Sequence, residues 1–189
     1  VYVLAELTEG GVTMIGTTNG FTTTSTLALP IDADSGIPAN DFCRGQAFYD
    51  LMLEVDPTND QILYTGGIDL FKSSNGGTSW SQFSHWYGGF GYQDVHSDQH
   101  GLAFGHGASN KLLIGNDGGV YFSANGGTTT TARNLGLNIT QFYSVGVSPT
   151  AAVSGLTGDN YFAAGAQDNG TQYFGNASAD INASVRSQG

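Results

Sequence analysis

One short pattern, written three times, constrains what this chain can fold into. It reads TTNGFTTT at 17–24, SSNGGTSW at 73–80 and SANGGTTT at 123–130. Each copy opens on Ser or Thr and has Asn third and Ser or Thr seventh; the copies start roughly fifty residues apart. A tight turn recurring at that interval marks repeated units that stack on one another. The residues before the turns repeat as well: QILYTGGIDLFKSSNGG (61–77) and NKLLIGNDGGVYFSANGG (110–127) both run apolar strand, Gly/Asp turn, alternating strand, Asn-Gly-Gly turn. NYFAAGAQDNGTQYFGN (160–176) begins the same way. The apolar period is two rather than 3.6, and no stretch of a dozen residues carries the stripe of an amphipathic helix.

These turns resemble the Asp-box (BNR-type) β-propeller repeats, whose signature is S/T-x-D/N-x-G-x-T/S-W. Ser73, Asn75, Gly77, Ser79 and Trp80 match every defined position. Ser123, Asn125, Gly127 and Thr129 match all but the last, where Thr130 replaces Trp, and the copy at 17–24 has Phe21 for Gly and Thr24 for Trp. The resemblance implies an all-β fold, a β-propeller of four-stranded antiparallel blades, with these turns joining the third and fourth strands and no catalysis in them. The Asn side chain shapes the turn, the glycines take φ > 0, and Trp80 is expected in the core. Set in register, residues 1–189 form one domain with blades at about 1–40, 41–93, 94–140 and 141–189. The first lacks its first strand and the last stops before a fourth, so two are complete and the chain reads as a partial propeller. Its expected partners are the rest of a longer parent chain or neighbouring copies in an assembly, since segments 1–29 and 141–189 would otherwise leave bare strand edges.

A finer resemblance lies in GQAFYDL (45–51), HSDQH (96–100), NDGGVY (116–121), LNITQFY (137–143) and AQDNGT (166–171). It is to secreted propellers of Bacteroidetes-type bacteria, described as sortilin-like or glycosyl-hydrolase-like and often exported by type IX secretion. It implies a secreted, extracellular or cell-surface location. Composition narrows the partners further: 5 basic against 16 acidic residues give a net charge of −11, which opposes a phosphate backbone and excludes nucleic acid. No apolar run approaches the ~20 residues of a membrane-spanning helix. The single cysteine, Cys43, reads as a small buried hydrophobe. N-x-S/T triplets stand at Asn138, Asn169, Asn176 and Asn182, and they matter only where the source glycosylates Asn.

Propeller geometry gathers polar residues from several loops. His96, Asp98 and His100 enter the innermost strand of the third blade at i, i+2 and i+4, one side of an extended segment. Asp117 follows the second strand of that blade, and Gln167 and Asp168 hold the same place in the next. Three readings stay open for this rim. His96, Asp98 and His100 are ligand types for a divalent metal ion, with Asp117 nearby. Asp98, Asp117 and Asp168 are the candidate catalytic carboxyls, two of which suffice for a glycosidase pair. A hydrogen-bonded network lining a wet channel needs neither. Trp86 and Tyr87, beside the Gly-rich GGFGY (88–92), and Gln167 are candidate ligand-binding residues, since exposed aromatics grip carbohydrate faces. Asp32 and Asp34 lie in a long acidic connection, LPIDADSGIPAND (29–41), that could also serve as a Ca²⁺ loop, without the spacing of an EF-hand. Two functions follow: an extracellular or cell-surface module for binding, adhesion or assembly, with glycan as one ligand, or a polysaccharide-acting hydrolase resembling the xyloglucanase-type Asp-box propellers.

Overall fold

In a computed structural model the described residues are 1–137, 139–147, 162–174 and 184–187. The chain divides into two compact units, Val1–Leu137 and Asn138–Gly189. In the first unit β1 (Tyr2–Glu6), β2 (Val12–Gly16) and β3 (Ser25–Thr26) form a three-stranded antiparallel sheet. A four-stranded sheet follows, β4 (Met52–Val55), β5 (Leu63–Gly66), β6 (Leu70–Ser73) and β7 (Ser81–Gln82). Next come a short parallel pair, β8 (Ser84–His85) with β9 (Gln93–Asp94), and a second four-stranded sheet, β10 (Gln99–Gly105), β11 (Ala108–Asn116), β12 (Gly119–Ser123) and β13 (Thr131–Ala132). Strand order within each large sheet follows chain order, so every connection is a hairpin. This is the blade pattern of a β-propeller, and the first blade lacks its innermost strand as the sequence implies. Among the described residues the helical content is one 3-10 turn, Ala39–Asp41.

The second unit holds β14 (Phe142–Val147), β15 (Phe162–Ala166), β16 (Thr171–Phe174) and β17 (Ser184–Ser187), again in chain order. Here the structure adds to the sequence reading, which placed no fourth strand in this blade. The sequence Ser-Val-Arg-Ser has one apolar residue and so no alternation to read.

Blades of the first unit are held by apolar cores between them. Val12, Phe42, Cys43, Ala47 and Phe71 pack between the first sheet and the second. Met52, Tyr64, Leu70, Val95, Leu102, Leu112 and Ile114 pack between the second and the third, where β10 lies against β4. The middle blade is thus covered on both faces, which is why all four residues of β5 are buried and its alternation disappears. Cys43, 1% exposed, is the buried hydrophobe expected of it.

The repeated turns share one hydrogen-bond plan. Ser73 Oγ donates to Asn75 Oδ1 (2.9 Å) and accepts from the Gly77 amide (2.9 Å), while Asn75 Oδ1 accepts from the Ser79 amide (3.0 Å) and its Nδ2 donates to Ser79 Oγ (2.8 Å). Ser123, Asn125, Gly127 and Thr129 repeat every one of these bonds. So do Thr17, Asn19, Phe21 and Thr23. Trp80 packs on the first core but is only half-buried, a correction to its expected core position. The reason is its indole N–H, which donates to the Ala28 carbonyl of the preceding blade at 2.8 Å and keeps the ring at the blade edge. In the third blade Gln93 takes that role: its amide nitrogen reaches the Phe83 carbonyl (3.3 Å) and its Oε1 accepts from the Thr130 amide and hydroxyl.

Candidate functional site

The extended H-x-D-x-H arrangement does not form. Asp98 has φ 62, and a left-handed residue in the middle of the segment ends the alternation that would align the three side chains. His96 turns away: its Nδ1 lies 3.2 Å from the Ser97 carbonyl and its ring packs on Gly118 so closely that a Cβ there would meet it at 2.4 Å. The His96 carbonyl is locked by the amides of Gln99 and Asn116. Among the described residues His96, Asp98 and His100 do not make a set of metal-ligating atoms within 4.8 Å of one another.

What converges instead is a different set. His100 Nε2 lies 2.7 Å from Asp117 Oδ1, and the Tyr49 hydroxyl is 3.0 Å from both oxygens of Asp117. The Tyr49 and His100 rings meet edge to face at 4.8 Å. Carboxyl oxygens of Asp98 and Asp117 approach within 4.8 Å, with Asp98 buried and Asp117 half-buried. Behind them Asp50 is fully buried, and neither of its oxygens reaches a partner with hydrogen-bond geometry. Burial, then the charge of Asp98, pushes its pKa up to about 7. Tyr49 and Asp50 were not among the sequence candidates, although both stand in the GQAFYDL segment; an Asp directly ahead of an apolar strand was the available signal.

Gln167 and Asp168 belong to the second unit. The Gln167 amide bonds the Gln141 carbonyl at 2.9 Å, and Asp168, with φ 52, lies exposed in the turn between β15 and β16. Asp69, Asp117 and Asp168 therefore occupy the same second-to-third-strand turn in three successive blades. Asn169 is exposed in that turn, whereas Asn138, Asn176 and Asn182 lie outside the described residues.

Trp86 and Tyr87 are brought together at the surface. With Phe90 they are 40%, 52% and 62% exposed. The Trp86 and Tyr87 rings meet at 4.6 Å, and Tyr87 and Phe90 both pack edgewise on His85, at 4.1 and 5.1 Å. The Tyr87 hydroxyl donates to Asp34 Oδ1 at 2.7 Å. Burial alone would raise the Asp34 carboxyl, but this hydroxyl and the Arg44 guanidinium outweigh it and hold the carboxyl below its usual range.

Blades in chain order, a polar rim and an aromatic ledge define the class: a β-propeller chain of non-identical three- and four-stranded blades. No family model matches it, and no curated protein matches it by sequence. Among solved structures it is similar to the Niastella koreensis GH74 enzyme at 18% identity, over 91% of this chain and 26% of that one, with a TM-score of 0.49. It is similar to an ancestral GH74 enzyme at 18% identity, over 93% and 21%, with a TM-score of 0.45. A third likeness is to YCF48 bound to D1 peptide, at 12% identity, over 92% and 61%, with a TM-score of 0.27. The chain thus spans about a quarter of the length of the first of these enzymes. Among the described residues no helix is long and apolar enough to cross a membrane.

Proposed function

We propose that this chain is part of an extracellular or cell-surface β-propeller of Asp-box type, a single domain with blades near 1–40, 41–93, 94–140 and 141–189, that works by binding, adhesion or assembly. Its ligand surface is the ledge of Trp86, Tyr87 and Phe90, and a glycan is the ligand that surface suits. The observation that carries this reading is the ledge itself. Three large aromatic rings stay partly in solvent while Tyr87 and Phe90 pack on a buried imidazole, Tyr87 is tied to a carboxylate, and Trp86 packs on Tyr87. Rigid exposed aromatics present apolar area at little entropic cost, which suits the flat face of a sugar ring. Affinity electrophoresis against a panel of neutral polysaccharides tests the reading. Retardation by one class, weakened at least tenfold in Trp86→Ala, is expected; no retardation, or retardation indifferent to Trp86→Ala and Tyr87→Ala, refutes it.

A second reading, a polysaccharide hydrolase, is favoured by one observation: carboxyl oxygens of Asp98 and half-buried Asp117 approach within 4.8 Å. Two neighbouring carboxyls, one as acid and one as base or nucleophile, are the pairing glycoside hydrolysis uses. Release of reducing ends from the bound polysaccharide, abolished by Asp117→Asn, would establish this reading over simple binding.

A further inference from the structure

Beneath the aromatic ledge lies a second cluster, distinct from the Tyr49, His100 and Asp117 set. It joins the long connection 29–41 to the end of the second blade. Carboxyl oxygens of Asp32 and Asp34 and a ring nitrogen of His85 all lie within 4.8 Å of one another. His85 Nε2 is 3.4 Å from Asp34 Oδ2 and 4.0 Å from Asp69 Oδ2. The side chains of Asp32, Asp69 and His85 are fully buried and that of Asp34 is 19% exposed. His85 is the anomaly. Both ring nitrogens are buried and neither has a hydrogen-bond partner, although one of them faces two carboxylates. A buried imidazole left so is costly unless a ligand completes it.

The geometry points to a bound divalent cation of the zinc type, held by His85 Nε2 and the carboxylates of Asp34, Asp69 and Asp32. Zinc takes imidazole nitrogen and carboxylate oxygen at about 2.0–2.2 Å in a tetrahedral shell, which sets neighbouring donors roughly 3.4 Å apart. That is the separation of His85 Nε2 and Asp34 Oδ2; Asp69 Oδ2, 4.0 Å from His85 Nε2, stands outside the three donors that lie within 4.8 Å of one another and would have to swing toward them to ligate. Charge is compatible with the same conclusion. Arg44 Nη2 lies 2.9 Å from Asp32 Oδ2 and 2.7 Å from Asp34 Oδ2, one positive charge for two carboxylates, while burial pushes the Asp69 carboxyl up to about 8. A divalent cation would offset the remaining negative charge of the cluster. Arg44 does not block the ion, because a carboxylate oxygen has lone pairs for two partners. Around the ligands stands a supporting shell. Asp34 Oδ1 accepts from Tyr87, Asp32 Oδ1 from the Asp34 amide (2.8 Å), and Asp69 Oδ2 from Gln82 Nε2 (3.2 Å), which fixes each carboxylate's direction.

The full chain, stripped with chelator and dialysed, is titrated with Zn²⁺ by calorimetry and with Co²⁺ in the visible range. One equivalent of each, with the visible bands of a tetrahedral cobalt site, is expected. His85→Gln and Asp69→Asn should each weaken Co²⁺ binding at least tenfold while the far-ultraviolet circular dichroism stays that of a β protein. Asp69→Asn keeps the shape of the side chain and carries the test if His85→Gln does not fold. A chain that takes up neither ion overturns the proposal. So does binding unchanged in both variants, or binding lost in His100→Ala but kept in His85→Gln, which would put the ion at the rim.

Discussion

Phe21 shows how a single residue can keep a turn while working against it. It occupies the Gly position of the first repeat and makes the amide bond to Thr17 Oγ1, but at φ 67, a conformation that costs a side-chain-bearing residue about 1–2 kcal/mol. Its ring is half in solvent and returns little burial. Phe21→Gly should therefore stabilise the chain by roughly 1 kcal/mol, seen as a rise in the denaturation midpoint; a fall would mean that the ring packs more than its exposure indicates. Asp50 makes a prediction of the opposite kind. Its carboxyl titrates near 7 in the fold against an ordinary 3.8. Between those values the folded chain holds a proton that the unfolded chain has lost, so stability falls as pH rises through that window, by up to about 1.4 kcal/mol per unit. Melts at pH 5 and pH 8 should show a larger loss in the wild type than in Asp50→Asn. Equal losses would remove Asp50 as the source. The sequence marks the Asn and Gly of each turn because their role is local, but Asp50 looks like any other Asp until the fold takes water away from it.

At the scale of strands and turns, the repeats were legible and the substitutions between them were not. Local chemistry sets the turns at 73–80 and 123–130, so the strands on either side follow from their alternation. How the third blade manages without a Trp could not be read, since Gln93 lies 37 residues before Thr130. Its one side chain ties the Thr130 amide, the Gly127 carbonyl (2.9 Å) and the Phe83 carbonyl (3.3 Å) together. Gln93→Ala should leave three backbone groups short of partners and cost on the order of 2–3 kcal/mol. Hydrogen exchange would locate the loss at 127–132; a variant as stable as the wild type, with those amides still protected, would show that water replaces the side chain. The same limit of local reading applies at the rim: an extended strand would align His96, Asp98 and His100, and the left-handed backbone at Asp98 interrupts that alignment.

At the scale of the molecule, and among the described residues, β14 is a strand whose every residue is exposed. Phe142, Tyr143, Val145 and Val147 are 46–71% exposed on a strand with β propensity, the kind of surface that natural β proteins cover or pair. Light scattering on the isolated 189-residue chain should report association beyond the monomer, relieved by Tyr143→Ser with Val145→Ser. A stable monomer would overturn the expectation of neighbouring blades or copies. What the sequence determined by itself was the fold class, because propeller turns and strands rest on contacts within a few residues: an Asn reaching its own following amides, glycines at φ > 0, side chains alternating in and out. What only the tertiary structure decided was which polar groups meet. Asp34, Arg44, Asp69 and His85 come from two connections and strand β8 of the first unit, and Tyr49, Asp50, Asp98 and Asp117 from three connections. Their burial and spacing arise when blades pack face to face. No local period records that packing, because desolvation and charge coupling act through space and not along the chain.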